Sequence, residues 1–337
     1  MVRIKKEGVI LRQADVDFES EAVLNPAVIK VGDEIKMFYR AIRRGNHSTI
    51  GYCVLDKPLT VSNRLDKPFM VPEHDYERHG IEDPRIVYID GRYYMTYVAF
   101  NGKNALGALA TSADLKTFER QGVIVPQLTC TAFDELAKVN TDIIERYRQD
   151  YNSPDTILMD KDVVFYPRRI NGKLCFMHRI KPDMQLVAID SLEELTQDFW
   201  ENYITNLAEY VLLTPKGPHE INYVGGGCPP VETPEGWLVI YHGVDNEMKY
   251  SACAALFDLE DPGKEIARLP YALFSPDQDY EISGDVNNVC FPTGAIVEND
   301  TLYIYYGAGD DKIACASVSL SALVAELLSH SGLQSLA

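Results

Sequence analysis

One pattern recurs five times along this 337-residue chain, and it leaves few folds open. A polar or small residue precedes a Pro or Val, an apolar strand follows, then a tight turn, then a second apolar strand. The copies are NPAVIKVGDEIKMFYRA from Asn25, DPRIVYIDGRYYMTYVAF from Asp83, DVVFYPRRINGKLCFMHRI from Asp162, CPPVETPEGWLVIYHGV from Cys228 and FPTGAIVENDTLYIYYGA from Phe291. The turns GD, DG, NG, EG and ND are hairpin chemistry, because Gly, Asn and Asp tolerate the positive φ of tight hairpins. The flanking runs are rich in Val, Ile, Tyr and Phe and partly alternate, which is the strand signal. A short strand of small residues follows each hairpin: IGYCVLDKPLTV, LGALATSADLKTF, QLVAIDSLEEL, SACAALFDLEDP and IACASVSLSAL. Five such units predict an all-β chain, a five-bladed β-propeller spanning residues 1–337 as a single domain.

Two segments interrupt the pattern. CTAFDELAKVNTDIIERYRQDYNSPD has helical spacing and predicts a helical insertion at about 130–150. SLSALVAELLSH predicts a short C-terminal helix at about 319–330. Both are expected to pack on the propeller, and either could carry a homo-oligomer contact.

Composition narrows the partners. The net charge of −18 disfavours nucleic acid and anionic membranes, since phosphate neutralisation needs clustered Lys and Arg. No apolar run of about eighteen residues predicts a membrane span. The N-terminus lacks the apolar core and cleavage site of a signal peptide, which predicts a cytoplasmic protein, or a periplasmic one if a signal has been removed. The seven cysteines are odd in number, form no C-x-x-C pair and sit mostly in apolar runs, so buried thiols are expected rather than disulfides or a metal site. No organic cofactor is implied.

In a propeller, equivalent ends of the inner strands converge on the axis. The hairpin starts give Asn25, Asp83, Asp162, Cys228 after Gly225–Gly227, and Phe291 with Asn288 before it. The hairpin ends give Arg40, Arg179, His242 and Asp310. Carboxylates, guanidinium groups, a His and amides around one funnel suit an oligosaccharide, because vicinal hydroxyls pair with groups that make two hydrogen bonds in fixed geometry. The glycine triplet lacks the strand–turn–helix setting and Lys of a phosphate loop, and reads as close backbone approach near the axis.

The ordered set NPAV, YRA, EDPRI, KDVVFYP-x-x-INGK, HRI, GGGCPP, GWLVIYHGV, NVCFPTG and YYGAGD, from about residue 20 to 320, resembles glycoside hydrolase family 130. The resemblance implies a five-bladed propeller that cleaves β-mannosides with inversion, mostly by phosphorolysis and in a smaller group by hydrolysis. It implies that Asp83 is the general acid, acting through a mannosyl hydroxyl; Arg85 of the same motif, Tyr223 and Asn288 are expected among the substrate-binding residues. It makes Asn25, Arg40 and Asp310 sugar ligands, and places Arg179 and His242 in the phosphate pocket.

Two departures bear on the nucleophile. Where phosphorylases carry a cationic or amide pair before the KD motif, this chain has Met159 and Asp160. Where they carry a cation before the glycine-rich segment, it has Tyr223. A phosphate dianion needs paired cationic donors, so these changes favour water as nucleophile. An inverting hydrolase then needs a general base, for which Glu220, Asp162 and Asp160 are the candidates. The expected activity is exo-hydrolysis of β-1,2-linked manno-oligosaccharides. The alternatives are a β-mannoside phosphorylase with inorganic phosphate as co-substrate, a propeller arabinanase or xylosidase, whose first-blade carboxylate is Asn25 here, and a non-catalytic sugar-binding propeller.

Overall fold

The computed structural model describes residues 1–138, 145–147 and 156–331. The chain is mostly β, and its strands form antiparallel meanders in the order in which the repeats run. The first meander is Ala22–Val31, Glu34–Arg43, His47–Lys57 and Thr60–Arg64, and the second is Gly80–Ile89, Arg92–Phe100, Ala105–Ser112 and Glu119–Val123. One parallel bridge, Ser48 to Gly80, joins these two into an eight-stranded sheet. The third comprises Lys161–Phe165, Leu174–Arg179, Met184–Ile189 and Val211–Leu213. The fourth starts with Tyr223–Gly226 and Val231–Thr233, both paired with Gly236–Val244, and continues through Tyr250–Phe257 and Glu265–Arg268. The fifth is Cys290–Glu298, Thr301–Ala308 and Lys312–Ser319.

The fifth meander takes its outer strand from the other end of the chain. Lys5–Leu11 pairs antiparallel with Lys312–Ser319, so the first and last strands share one sheet. The repeat pattern did not reveal that strand. First strands lie against first strands: Ala22–Val31 touches both Gly80–Ile89 and Cys290–Glu298, and Lys161–Phe165 touches both Gly80–Ile89 and Tyr223–Gly226. Among the described residues no sheet closes on itself.

Helices cover the edges. Cys130–Ala137 begins the expected insertion, with the Thr129 hydroxyl accepting from the Ala132 amide at 3.1 Å. Residues 139–144 and 148–155 of that insertion lie outside the described residues. The expected C-terminal helix is Leu320–Ser329, capped by Ser319. It buries Leu323, Val324 and Leu327, one face at helical spacing, against the fourth and fifth meanders. A helix at Gln197–Thr205 was not expected. It buries Trp200, Tyr203 and Ile204 beside the third meander. All seven cysteines are buried, and no described helix is long and apolar enough to cross a membrane.

One device recurs wherever an outer strand hands over to the next inner strand. A short helix there presents a buried carboxylate to a tyrosine on the second strand and a cation on an outer strand. Tyr39 and Arg64 both reach Glu19 at 2.8 Å. Tyr97 and Arg120 reach Glu77 at 2.5 and 3.0 Å. Tyr241 and Arg268 reach Glu220 at 2.8 and 2.9 Å. Tyr306 and Lys6 reach Glu281 at 2.6 and 2.5 Å. The carboxylates of Glu77, Glu220 and Glu281 also accept backbone N–H groups of the chain entering their own helices. The third meander has a variant: His178 stands at the tyrosine position, 2.7 Å from Asp160 and 2.8 Å from the Tyr203 hydroxyl. A buried charge needs such partners, because an unpaired one costs several kcal/mol.

Candidate active site

In the first three meanders the inner strand leaves its ladder at one equivalent point. Register slips between Leu24 and Ala27, between Glu82 and Arg85, and between Lys161 and Val164. The residue in each bulge has a left-handed backbone: Asn25 with φ 48°, Asp83 with φ 49° and Asp162 with φ 57°. Asn and Asp tolerate this region best among residues with a Cβ. A bulge re-aims a side chain, so the residue types that head the repeats are the ones able to occupy that bend. Asp310, φ 53°, reaches the same region from the end of the hairpin in the fifth meander. The fourth meander supplies Gly225 and Gly226 instead. A Cβ on Gly225 would lie 2.3 Å from the His242 ring, and one on Gly226 would lie 2.5 Å from the Asp162 carbonyl oxygen. The close approach expected of the triplet is what requires glycine there.

These ends enclose a cavity of about 210 Å³, lined by Asn25, Arg40, Asp83, Arg179, Tyr223 and Asp310 from the expected set. Lys161, Lys181, Tyr250, Val289 and Phe291 complete it, with Met159 and Val286, both more than two-fifths exposed, among the lining residues. Arg85, Asp162 and His242 stand behind this lining, almost fully buried. Asn288 is outside it; its carbonyl accepts the Tyr250 amide at 3.0 Å and so positions a lining residue.

On one side Asp83 is the hub. Asn25 Nδ2 donates to its Oδ1 at 2.8 Å, and Arg40 Nη1 stands 3.5 Å from the same oxygen. Arg40 is held by Glu82 at 2.8 Å and by the Ser48 hydroxyl at 2.9 Å. Arg85 donates to the Asp83 carbonyl at 2.6 Å and to the Gly226 and Gly227 carbonyls at 3.2 Å, tying this bend to the glycine segment. Burial pushes the Asp83 carboxyl up, but Arg40, Lys161, Arg85 and the Asn25 amide outweigh it and hold the group below its ordinary range. Asp310 goes the other way: burial and the charge of Asp83 raise it to about 6. Two neighbouring carboxyls thus titrate apart.

The other side is cationic. Arg179 Nη1 lies 2.8 Å from Asp162 Oδ2 and 3.3 Å from His242 Nε2. Burial raises Asp162, but the guanidinium groups of Arg179 and Arg85 help to outweigh it and bring it to about 2. Burial next to Arg179 lowers His242 to about 3, so it is a neutral imidazole. Lys181 sits 3.7 Å above the Tyr223 ring, and Tyr223 and Tyr250 share a hydrogen bond between hydroxyls. Burial, then Arg179 and Lys161, lower the Lys181 ammonium to about 8. The neighbouring Asp183 is gripped by Arg146 and Tyr147 of the insertion at 2.5–2.6 Å, which anchors the segment carrying Lys181.

None of the three candidate bases lines the cavity. Glu220 belongs to the recurring carboxylate–tyrosine–arginine cluster, and its oxygens are taken by Tyr241, Arg268 and two backbone amides. Asp160 is the third-meander equivalent, bonded to His178. Asp162 neutralises Arg179 from behind. The recurrence was visible in the sequence: Glu19, Glu77 and Glu220 precede Tyr39, Tyr97 and Tyr241 by nearly constant spacing. Neither lysine carries a sequence signal of its own: Lys161 immediately precedes Asp162, and Lys181 follows Arg179 by two residues.

Comparison with known proteins gives the same family as the motifs. The family model described as beta-1,4-mannooligosaccharide phosphorylase, that of glycoside hydrolase family 130, matches residues 8–328. The chain belongs to glycoside hydrolase family 130. It is 33% identical over 328 residues to a 1,2-beta-oligomannan phosphorylase of Thermoanaerobacter sp. (strain X514), covering 94% of this chain and 97% of the relative. Among solved structures it resembles β-1,2-mannobiose phosphorylase from Listeria innocua in complex with β-1,2-mannobiose, with TM-score 0.75, 23% identity, and 97% and 100% of the two chains covered. It also resembles, at TM-score 0.75 and 22% identity over 95% and 94% of the chains, a structure reported for the family's glycoside hydrolases that target β-1,2 mannosidic linkages in Candida mannan. The chain is therefore an enzyme of a mannoside-active family.

Proposed function

We propose that this protein is an inverting β-mannoside phosphorylase, with β-1,2-linked manno-oligosaccharides as substrates and inorganic phosphate as co-substrate. The observation that carries this reading is the convergence of Lys161, Arg179 and Lys181 on the cavity that Asp83 lines, with none of Glu220, Asp160 and Asp162 among the lining residues. It replaces the hydrolytic expectation. Lys161 and Lys181 supply the paired cations that Met159 and Tyr223 do not, and a phosphate dianion needs them. Curated relatives that are phosphorylases of β-1,2-mannosides favour the same choice. The five meanders are read as five blades about this cavity, which the neighbouring first strands support.

The chemistry follows from the two sides. Mannose lies among Asn25, Arg40, Asp83 and Asp310. A phosphate oxygen, held by the cations, attacks the anomeric carbon opposite the leaving oxygen. The glycosidic C–O bond breaks as the new C–O bond to phosphate forms, and the leaving oxygen takes a proton from Asp83, through a mannosyl hydroxyl as the family resemblance implies. Hydrogen phosphate loses its own proton once esterified, which restores Asp83. Phosphate binding also prepares the acid: its charge offsets Lys161, one of the groups that hold Asp83 deprotonated.

Hydrolysis is the second reading, favoured by Met159 in the cavity lining, where the family's phosphorylases carry polar or cationic groups. The reverse reaction separates the two. A phosphorylase given mannose 1-phosphate and mannose makes a mannoside and releases phosphate. An enzyme that only hydrolyses makes none.

A further inference from the structure

A larger cleft of about 650 Å³ is lined by residues of the first meander and of the connection that leads from it to the second. The two share one strand end as a wall. Ser48 holds Arg40 of the axial cavity, while its chain neighbours His47 and Thr49 line the cleft, as strand alternation requires. The far wall is the connection that runs from Asp66 to Arg78 and leads into the strand bearing Asp83. Arg40 lines the axial cavity and Arg43, at the end of the same strand, lines the cleft, so the two lie toward one end of that strand.

Its lining suits a neutral, hydroxylated ligand. Lys67 and Arg78 are set among the carboxylates of Asp66 and Asp75, so no one sign of charge prevails, and Val71 and Pro72 offer apolar surface between them. A sugar ring has that character, with hydroxyls around its rim and C–H faces above and below. The Thr49 hydroxyl has no hydrogen-bond partner although Thr49 is only 5% exposed. Buried polar groups are nearly always paired, and an exception calls for an explanation. The axial cavity, at about 210 Å³, falls short of the roughly 300–1,000 Å³ that encloses drug-sized ligands, so a chain of several sugars must extend out of it.

We propose that this cleft binds distal sugar units of a longer β-mannoside whose terminal residue occupies the axial cavity, and so sets a preference for chain length. The identity of the sugar rests on the phosphorylase reading; the binding test does not, because it is run without phosphate. Affinity of the Asp83→Asn protein for β-1,2-mannobiose and β-1,2-mannotetraose is measured by calorimetry, alone and combined with Lys67→Ala or Thr49→Val. The tetraose is expected to bind roughly tenfold more tightly than the biose, as one or two added hydrogen bonds would give. Each cleft variant should erase most of that difference and leave the biose affinity unchanged. Thr49→Val removes only an unpaired hydroxyl and should not lower the melting temperature, so a purely structural role predicts no loss of affinity. Equal affinity for the two lengths, or variants that weaken both equally, would overturn the proposal. A second, independent biose per chain that Lys67→Ala removes would also overturn it, by showing a separate sugar site rather than an extension of the first. Binding of both sugars without any mannose 1-phosphate formation by the wild-type protein would instead count against the phosphorylase reading alone.

Discussion

Replacing Lys161 by Met tests the cationic side with little change in side-chain volume. Lys161 lines the cavity and acts electrostatically on both Asp83 and Asp162, so it stands between the two sides of the site. Two charges about 4 Å apart at an effective dielectric of roughly 20 interact by about 4 kcal/mol, an upper bound in a cavity open to water. A hydrogen bond to a charged group contributes about 1.5–3 kcal/mol net. At a factor of ten per 1.4 kcal/mol, Lys161→Met should raise the KM for phosphate about 10- to 150-fold. The KM for mannobiose should change by less than about threefold, because the sugar ligands are left in place. A second effect has a defined sign. Losing one of the cations that hold Asp83 low raises its carboxyl, so the alkaline limb of the rate at saturating phosphate moves upward in pH. The assay is initial rates with phosphate varied at saturating mannobiose, then the reverse, repeated as a pH–rate profile. A phosphate KM within twofold of wild type, with a mannobiose KM raised instead, would place Lys161 on the sugar and refute the reasoning.

Other outcomes follow from the same geometry. Asp83→Asn should lower kcat by about 10²–10⁴-fold, the usual share of a general acid, while calorimetry still detects mannoside binding. Phosphate affinity should fall as pH rises through about 8, where Lys181 loses its charge, and Lys181→Arg should abolish that limb. Asp310 has a folded value of about 6, above the ordinary carboxyl value, so its contribution to stability is fully present below pH 4 and is lost as pH rises through 6. Asp310→Asn should therefore raise the melting temperature at pH 7 but not at pH 3.5, while weakening mannoside binding. Glu220→Gln breaks a buried ion pair, and should cost about 3–5 kcal/mol in denaturant unfolding with kcat nearly unchanged; a large loss of kcat with unchanged stability would restore Glu220 as a base.

The succession of antiparallel meanders was legible because each repeat carries its own turn chemistry and strand alternation. The lining was legible for a related reason: Asn25 and Asp83 occupy left-handed bulges that few other residue types accept. What escaped was information held by pairing rather than by pattern. Lys5–Leu11 looks unremarkable until Lys312–Ser319 is beside it. Glu220 reads as a spare carboxylate until Tyr241 and Arg268 close on it. The cations of the cavity escaped for the same reason. Its charge is summed over every strand that reaches it, and Lys161 and Lys181 arrive from the same meander as Asp162 and Arg179.

The central claim is that the nucleophile is phosphate. The direct measurement is incubation with β-1,2-mannobiose, with and without phosphate, followed by ³¹P and ¹H NMR. The account predicts α-mannose 1-phosphate and mannose in equal amounts, formed only when phosphate is present. Mannose released at the same rate without phosphate, and no phosphate ester with it, would contradict the account.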